Sequence, residues 1–458
     1  MRYAGLEEMK KSLQGVVEID GKARVVDPEK LRSQLIDRLV FNGVFHENGE
    51  IKQAARRIVR QCAGALGIQP ASILGLYEAR GRGEFTGLTV PAINIRGLTY
   101  DMARAVFRAA LNNQVGAVVF EIARSEIGYT QQRPAEYSHA VIAAAIKEGF
   151  SGPLFIQGDH FQASAKNFSK NPQAEIQALK DLIREAIEAE FFNIDIDSST
   201  LVDLSRPTVR AQQQDNCAVA AELTHHLRGL EPKGVVISVG GEIGEVGGKN
   251  STVEELEAYM AGFHEELEKR GKGQKGISKI SVQTGTTHGG VPLPDGTIAR
   301  VKLDFEVLAQ LSEVARGKYG MAGAVQHGAS TLPEEAFDHF PPTGCAEIHL
   351  ATGFQNMVYD DPGFPAAVKS EIYDFLRQEC AAEKKAGETD EQFIYKTRKK
   401  GFGPLKEKFW TLPEAFRKEI GKTLEQRFEF LFKKLNVVDT VSLVRAKVPV
   451  DGPKLRVA

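Results

Sequence analysis

The sequence predicts an α/β chain built on a (β/α)8 TIM barrel, with additional N- and C-terminal helical regions. Three observations lead there. Eight short β-prone runs fall between residues 88 and 350, separated by long stretches of which several have helical periodicity. Almost every run ends in a polar residue: Asn94, Glu121, Asp159-His160, Asp197-Ser198, Glu242, His288 and His327. The flanking regions, 1–86 and 361–458, return to amphipathic helix. A barrel gathers the C-terminal ends of its strands at one face, so those polar residues converge. An open doubly wound sheet, the alternative, leaves their shared position unexplained.

In order along the chain, the N-terminal extension (1–86) has apolar residues at three- and four-residue spacing in Pro28–Val40 and Ile51–Leu66. Its end, Ala79-Arg-Gly-Arg-Gly-Glu84, reads as a linker. That stretch contains G-x-G but neither a preceding strand nor a third glycine at the right spacing, which argues against a nucleotide loop. The barrel domain (87–360) is expected to hold strands at Leu88–Ile95, Ala117–Ile122, Pro153–Gln157, Phe191–Ile196, Gly234–Val239, Lys279–Thr284, Ala322–Gln326 and Ala346–Leu350. Ala174–Ala189 and Val253–Arg270 read as helices between them. In the C-terminal extension (361–458), Phe364–Lys385 and Pro413–Leu435 are amphipathic, and the basic run Tyr395–Gly401 between them reads as a solvated loop.

Composition bounds the partners. A net charge of −2 over 458 residues gives no general pull toward nucleic acid or a membrane surface, so any anion site must be local. No apolar run approaches the roughly 20 residues of a spanning helix, and the N-terminus lacks an apolar signal core. A cytoplasmic protein is expected. Cys62, Cys217, Cys345 and Cys380 are widely spaced and include no C-x-x-C pair, as reduced thiols would be.

The most informative residues are His160, His288 and His327, each where a strand runs into a loop, with Asp159 beside the first. Three imidazoles can form an open zinc site that keeps a position for substrate. Two of them, in His288-Gly289 and His327-Gly328, precede glycines whose backbone N–H groups can approach an anion closely. The combination points to metal-assisted chemistry on a phosphorylated substrate. His46, His139, His225, His226, His264 and His339 lie in or beside helical patterns and read as surface or packing residues.

The barrel portion, roughly residues 88 to 356, resembles the class II, metal-dependent ketose-bisphosphate aldolases. The resemblance lies in ordered pieces: Val90-Pro91-Ala-Ile-Asn94, Gly158-Asp159-His160, Gly285-Thr-Thr-His288-Gly289 with Pro294-Asp-Gly296, and His327-Gly328-Ala-Ser330. It implies that His160, His288 and His327 hold a divalent cation, zinc or another, and that Asp159 is the acid/base at the C4 hydroxyl of the ketose. Asp197 and Glu242 match acidic positions that in the family can bind a second metal or an alternative metal position. Gly289, Gly328 and Ser330 would form a phosphate shell, with Asn94 and Thr352 at the substrate and room for a monovalent cation. A homo-oligomer, dimer or higher, is expected, acting on a ketose bisphosphate such as fructose 1,6-bisphosphate.

The sequence departs from the family twice. After the eighth strand the family has Asn-x-Asp-Thr-Asp, whereas this chain has His349-Leu-Ala-Thr352-Gly, so His349 stands in the substrate region. After the fifth, the family's acidic pair is replaced by Lys249-Asn250, with Glu245 nearby as a substitute for proton transfer at the enediolate carbon. A bisphosphate needs a second cation, and Arg398 or a neighbour in the basic run is expected to supply it. A looser resemblance, through Phe120-Glu121-Ile-Ala, Gly158-Asp159-His160 and Trp410-Thr-Leu-Pro413, is to the non-catalytic large partner subunit of tagatose-bisphosphate aldolase. A Schiff-base mechanism is disfavoured, because Lys279 begins its strand and no lysine ends one.

Overall fold

Short runs rich in Val, Ile, Phe and Ala and buried along nearly their whole length make eight parallel strands in the computed structural model, which describes residues 1–244, 249–285 and 303–450. These are β1 (Val90–Asn94), β2 (Val119–Ala123), β3 (Gly152–Gln162), β4 (Asn193–Asp197), β5 (Ser238–Glu242), β6 (Lys279–Val282), β7 (Ala324–Gln326) and β8 (Glu347–Leu350). Each pairs in parallel with the next, and β8 closes the ring on β1. The chain is a (β/α)8 barrel with extra helical regions. Among the described residues no helix is long and apolar enough to cross a membrane.

β5 begins four residues later than the sequence suggests and runs through Gly240-Gly241. A glycine pair normally ends a strand. Here close packing demands it: a Cβ on Gly240 would lie 2.3 Å from Asp195 Oδ1, and one on Gly241 2.7 Å from the Tyr259 hydroxyl. The N-terminal region is also not wholly helical. Val17–Asp20 and Lys22–Val25 form an antiparallel ribbon turned at Gly21, and Ile68–Pro70 adds a short parallel strand to the start of β3.

Ala79–Glu84 is not a linker. A helix, Leu74–Gly81, seals the N-terminal end of the barrel, and Arg80 on it is fully buried. Its guanidinium donates to the carbonyls of Leu88, Gly344 and Cys345, which lie just before β1 and β8. All four cysteines are free and buried.

The barrel interior holds an ionic core rather than a purely apolar one. Lys279, at the start of β6 and 1% exposed, donates to Gln157 Oε1 (2.8 Å), Asp195 Oδ2 (3.0 Å) and Glu347 Oε1. Glu347 also accepts from Gln157 (2.8 Å) and from the hydroxyl of Tyr77 on the sealing helix. Burial alone would lower the Lys279 pKa, but Asp195 and Glu347 outweigh it and hold the ammonium above its usual range. Removing one partner of such a buried set strands the other charges. Lys279→Met is expected to lower unfolding stability by about 3–5 kcal/mol, read as a fall in the urea midpoint. An unchanged midpoint would show that the core does not need its cation.

His139 ties the N-terminal region to the barrel. On the helix Pro134–Glu148 it faces Gly43 of the helix Ile36–Phe45, where a Cβ would come within 2.0 Å of Nε2. Nε2–H donates to the Val40 carbonyl (3.3 Å). Burial, with Arg56 nearby, pushes the imidazole pKa down to about 3. Because the folded value lies below the unfolded value of about 6.5, the neutral ring's full contribution is present above that pH and is lost as pH falls below it. The loss amounts to about 2 kcal/mol between roughly pH 7.5 and pH 5. His139→Gln should flatten the pH dependence of the melting temperature over that interval, and an identical slope in both proteins would remove His139 as its source.

Candidate active site

The C-terminal mouth of the barrel is organised by an irregularity in β3. Gly158 pairs with Ile194 and Phe161 with Ile196, so Asp159 and His160 together oppose a single residue of β4. Such a bulge bends the strand and re-aims side chains. His160 takes a left-handed backbone (φ +39°), which is uncommon outside glycine, and both consecutive residues line the mouth.

His160 Nδ1 lies 2.8 Å from Asp197 Oδ2 at the end of β4 and 3.2 Å from Glu242 Oε2 at the end of β5. Its Nε2 is 3.8 Å from Asp159 Oδ1. The His327 ring, just past β7, is 4.1 Å from the His160 ring centroid, and its Nε2 meets Ser281 Oγ at 2.9 Å. Asp197 is held further by Gln162 (2.6 Å) and Ser199 (2.7 Å). Burial opposes charge on His160, but Asp159, Glu242 and Asp197 outweigh it and raise its pKa well above the usual value. Burial, then Asp197, pushes Glu242 up to about 8. Three carboxyl groups thus share one imidazole, and a bound cation would favour their ionised forms. Donor atoms of His160, Glu242 and His327 lie within 4.8 Å of one another, two imidazoles and a carboxylate as in known catalytic zinc sites.

Asp159 is 4% exposed. Its Oδ1 meets Nδ1 of His349 at 3.1 Å, and the same nitrogen lies 3.1 Å from Glu121 Oε2. The other ring nitrogen reaches Glu347 Oε1 at 2.7 Å. Burial disfavours a charged His349, yet Glu121 and Asp159 hold its pKa well above the usual value. His349, the departure from the family's Asn, therefore joins Asp159 to the ionic core below.

These groups floor a cavity of about 520 Å³. Of the residues expected from sequence, Asn94, Asp159, His160, His327, Gly328, Ser330, His349 and Thr352 line it. Asp197 and Glu242 sit behind His160. His288 and Gly289, and with them Glu245, lie outside the described residues. Arg398 does not reach the cavity. It is 4% exposed, bonded to Asp360 (2.5 Å) and Asn356 (2.6 Å), and set over the rings of Tyr359 and Tyr395. The basic run is no solvated loop: it is the end of one helix and a 3-10 turn, Arg398–Gly401, docked on the barrel. Its Lys399 does line the cavity. Sequence reasoning offered Lys399 only as a neighbour of Arg398 and missed Arg96 and Arg124, which lie two and three residues past the polar ends of β1 and β2, a position that could have flagged them.

A model of the class-II fructose-bisphosphate aldolase family matches residues 82–407. The chain belongs to that family. It is an aldolase, a carbon–carbon lyase, of a family that generally depends on a divalent metal. No curated protein matches the chain. Among solved structures, a probable tagatose 6 phosphate kinase from Sinorhizobium meliloti is 17% identical, with a TM-score of 0.52 over 78% of this chain and 98% of that one. A fructose-bisphosphate aldolase from Campylobacter jejuni is 16% identical, with a TM-score of 0.48 over 81% and 97%. A putative fructose-1,6-biphosphate aldolase from Coccidioides immitis is 18% identical, with a TM-score of 0.46 over 80% and 96%. At such identities the likeness to the first is one of fold alone, and the other two add nothing to it. The aldolase family match takes in the whole barrel and the turn that carries Lys399.

If this cluster is the aldolase's metal site, His160→Ala and His327→Ala should abolish tight binding of a divalent cation while the helical circular dichroism stays. Glu242→Gln should weaken it by about 10–100-fold. Metal analysis and chelator competition read both. Wild-type affinity in a His160→Ala/His327→Ala double variant would place the metal elsewhere.

Proposed function

We propose that the chain reversibly cleaves a ketose bisphosphate, fructose 1,6-bisphosphate before others, into dihydroxyacetone phosphate and an aldehyde triose phosphate. The observation that carries this reading is the placement of Asp159. Its carboxylate lines the sugar-sized cavity between a cation-demanding cluster and the His349 imidazolium.

The donor set suits zinc or a similar divalent ion held by His160, His327 and Glu242. Bound there, it would supply Lewis-acid polarisation of the C2 carbonyl and its neighbouring hydroxyl. The chain's own residues do the rest. Asp159 accepts the C4 hydroxyl proton as C4 becomes the aldehyde carbonyl, and the C3–C4 electron pair stays on C3. In condensation the same carboxyl returns the proton. His349 keeps Asp159 oriented, and its positive charge favours the ionised carboxylate that a base must be. Asn94 Oδ1 and Glu121 Oε1 are buried without hydrogen-bond partners among the described residues, and both side chains line the cavity. They are ready contacts for sugar hydroxyls. Gly328 and Ser330 offer a backbone N–H and a hydroxyl for the 1-phosphate. The proton that returns to C3 comes from a group other than Asp159, for which Glu245, close in sequence to the end of β5, is the candidate the sequence offers.

Lys279 does not support a Schiff-base mechanism. A carbonyl-attacking lysine must be neutral, and three buried acceptors keep this one charged and occupied.

Asp159→Asn keeps the shape of the side chain and removes the base. Cleavage is expected to fall about 10²–10⁴-fold with metal content unchanged. Exchange of the triose-phosphate C–H proton should survive better than cleavage, because a different group handles it. Undiminished cleavage by this variant would remove Asp159 from the mechanism.

A further inference from the structure

A bisphosphate has two dianions. The groups facing the first, Gly328 and Ser330, lie after β7, and the cavity wall on the β1–β2 side has been given no role. It carries Arg96, Arg124, Ser125, Glu126, Tyr129 and Lys399. Two of its three cations are engaged. Arg96 donates to Glu126 (2.7 Å) and to Thr352 (3.1 Å). Arg124 donates to the Gln162 carbonyl (2.6 Å) and to Glu175. Lys399 differs: among the described residues no hydrogen bond or ion pair holds its ammonium, which stands 5.6 Å from the centre of the Tyr129 ring.

The fold places Lys399 there rigidly. Arg398 anchors the turn through Asp360 and Asn356, and its carbonyl accepts from the Tyr359 hydroxyl (2.8 Å). Phe402 packs against Gly97 beyond β1, where a Cβ would come within 2.2 Å of the ring. Gly403 sits on the backbone of Tyr129, where a Cβ would be 2.3 Å from its carbonyl oxygen. Lys406 closes the seam by donating to the Gln131 carbonyl (2.7 Å) and Glu136 (2.5 Å). The turn is thus clamped on the loops after β1 and β2, with Arg398 buried away from the cavity and Lys399 on its wall. Burial, with Arg96 nearby, presses the Lys399 pKa below the usual lysine range, a position that an incoming anion would relieve.

We propose that Lys399, delivered by the C-terminal region of the same chain, is the cation that recognises the substrate's distal phosphate and so selects bisphosphates over monophosphates. The inference rests on the ketose-bisphosphate reading above and adds a specificity residue to it. A single charged hydrogen bond to a dianion is worth about a tenfold to hundredfold change in affinity.

The test separates this from the reading it rests on by using reduced sugars that cannot be cleaved. Glucitol 1,6-bisphosphate and glucitol 1-phosphate are titrated calorimetrically into wild type, Lys399→Ala and Lys399→Arg. The wild type should prefer the bisphosphate by at least about tenfold. Lys399→Ala should lose that preference while binding the monophosphate as before, and Lys399→Arg should restore most of it. In turnover of fructose 1,6-bisphosphate, Lys399→Ala should raise KM with kcat within about twofold, since the phosphate is held alike in ground and transition states. Equal wild-type affinity for the two analogues, no affinity for the bisphosphate, or weakening of both analogues alike in Lys399→Ala overturns the proposal. A wild type that binds the bisphosphate selectively but cleaves no ketose overturns the aldol reading and leaves the role of Lys399 standing.

Discussion

One buried ammonium organises this barrel from end to end. Lys279 sits among Glu347, Asp195 and Gln157, where an unpaired charge would be prohibitive. By fixing Glu347 it fixes the acceptor for Nε2 of His349, and His349 in turn holds Asp159 at the cavity floor. In the other direction, Glu347 accepts from Tyr77 on the helix that seals the far end. Asp159 is therefore connected to the barrel's closure through His349, Glu347 and Tyr77. Gly240 belongs to the same device: a Cβ there would press on Asp195 and stand 3.0 Å from Lys279 Cε, so the ion pair and the missing side chain require each other.

The two carboxylate clusters at the mouth have different electrostatic tasks. Around His349 the negative charges meet fixed cations of the chain, Lys279 and the imidazolium itself, and burial leaves Glu121 pushed up to about 8. Around His160 no lysine or arginine is paired with Asp197 or Glu242 among the described residues, and the only compensation is the ring. Most acceptors of the first cluster are met by the chain's own cations, Glu121 Oε1 excepted, while the second relies on one imidazole. That asymmetry separates adjacent residues of one bulge: Asp159 faces the network that contains Lys279, and His160 the one with no lysine or arginine among the described residues.

Much of this was legible in the sequence, and what was not has definite causes. The barrel could be read because its strands are short β-prone runs and polar groups cluster at their C-terminal ends, which also singled out Asp159, His160, Glu242 and His327. β5 was misplaced because Gly240-Gly241 looks like a break until Asp195 and Tyr259 are seen against it. Ala79–Glu84 has linker composition, and only the carbonyls before β1 and β8 reveal why Arg80 is buried. Lys279 looked irrelevant because position along a strand says which end a residue occupies, not whether it faces the interior. Nothing in the spacing of Asp159-His160 signals a bulge, so convergence of two neighbouring side chains could not be foreseen.

The basic run shows the same limit at single-residue scale. Arg398 and Lys399 have equal claims on an anion by charge, and arginine the better one by geometry. Their difference arises from the turn: successive side chains on a 3-10 helix diverge, so when one is locked to Asp360 the next is carried toward Tyr129. What decides which of them lines the cavity is the clamp of Phe402 on Gly97 and Gly403 on Tyr129. Those contacts set the depth at which the turn sits over the barrel mouth, and a helical extension outside the barrel thereby becomes part of its cavity wall.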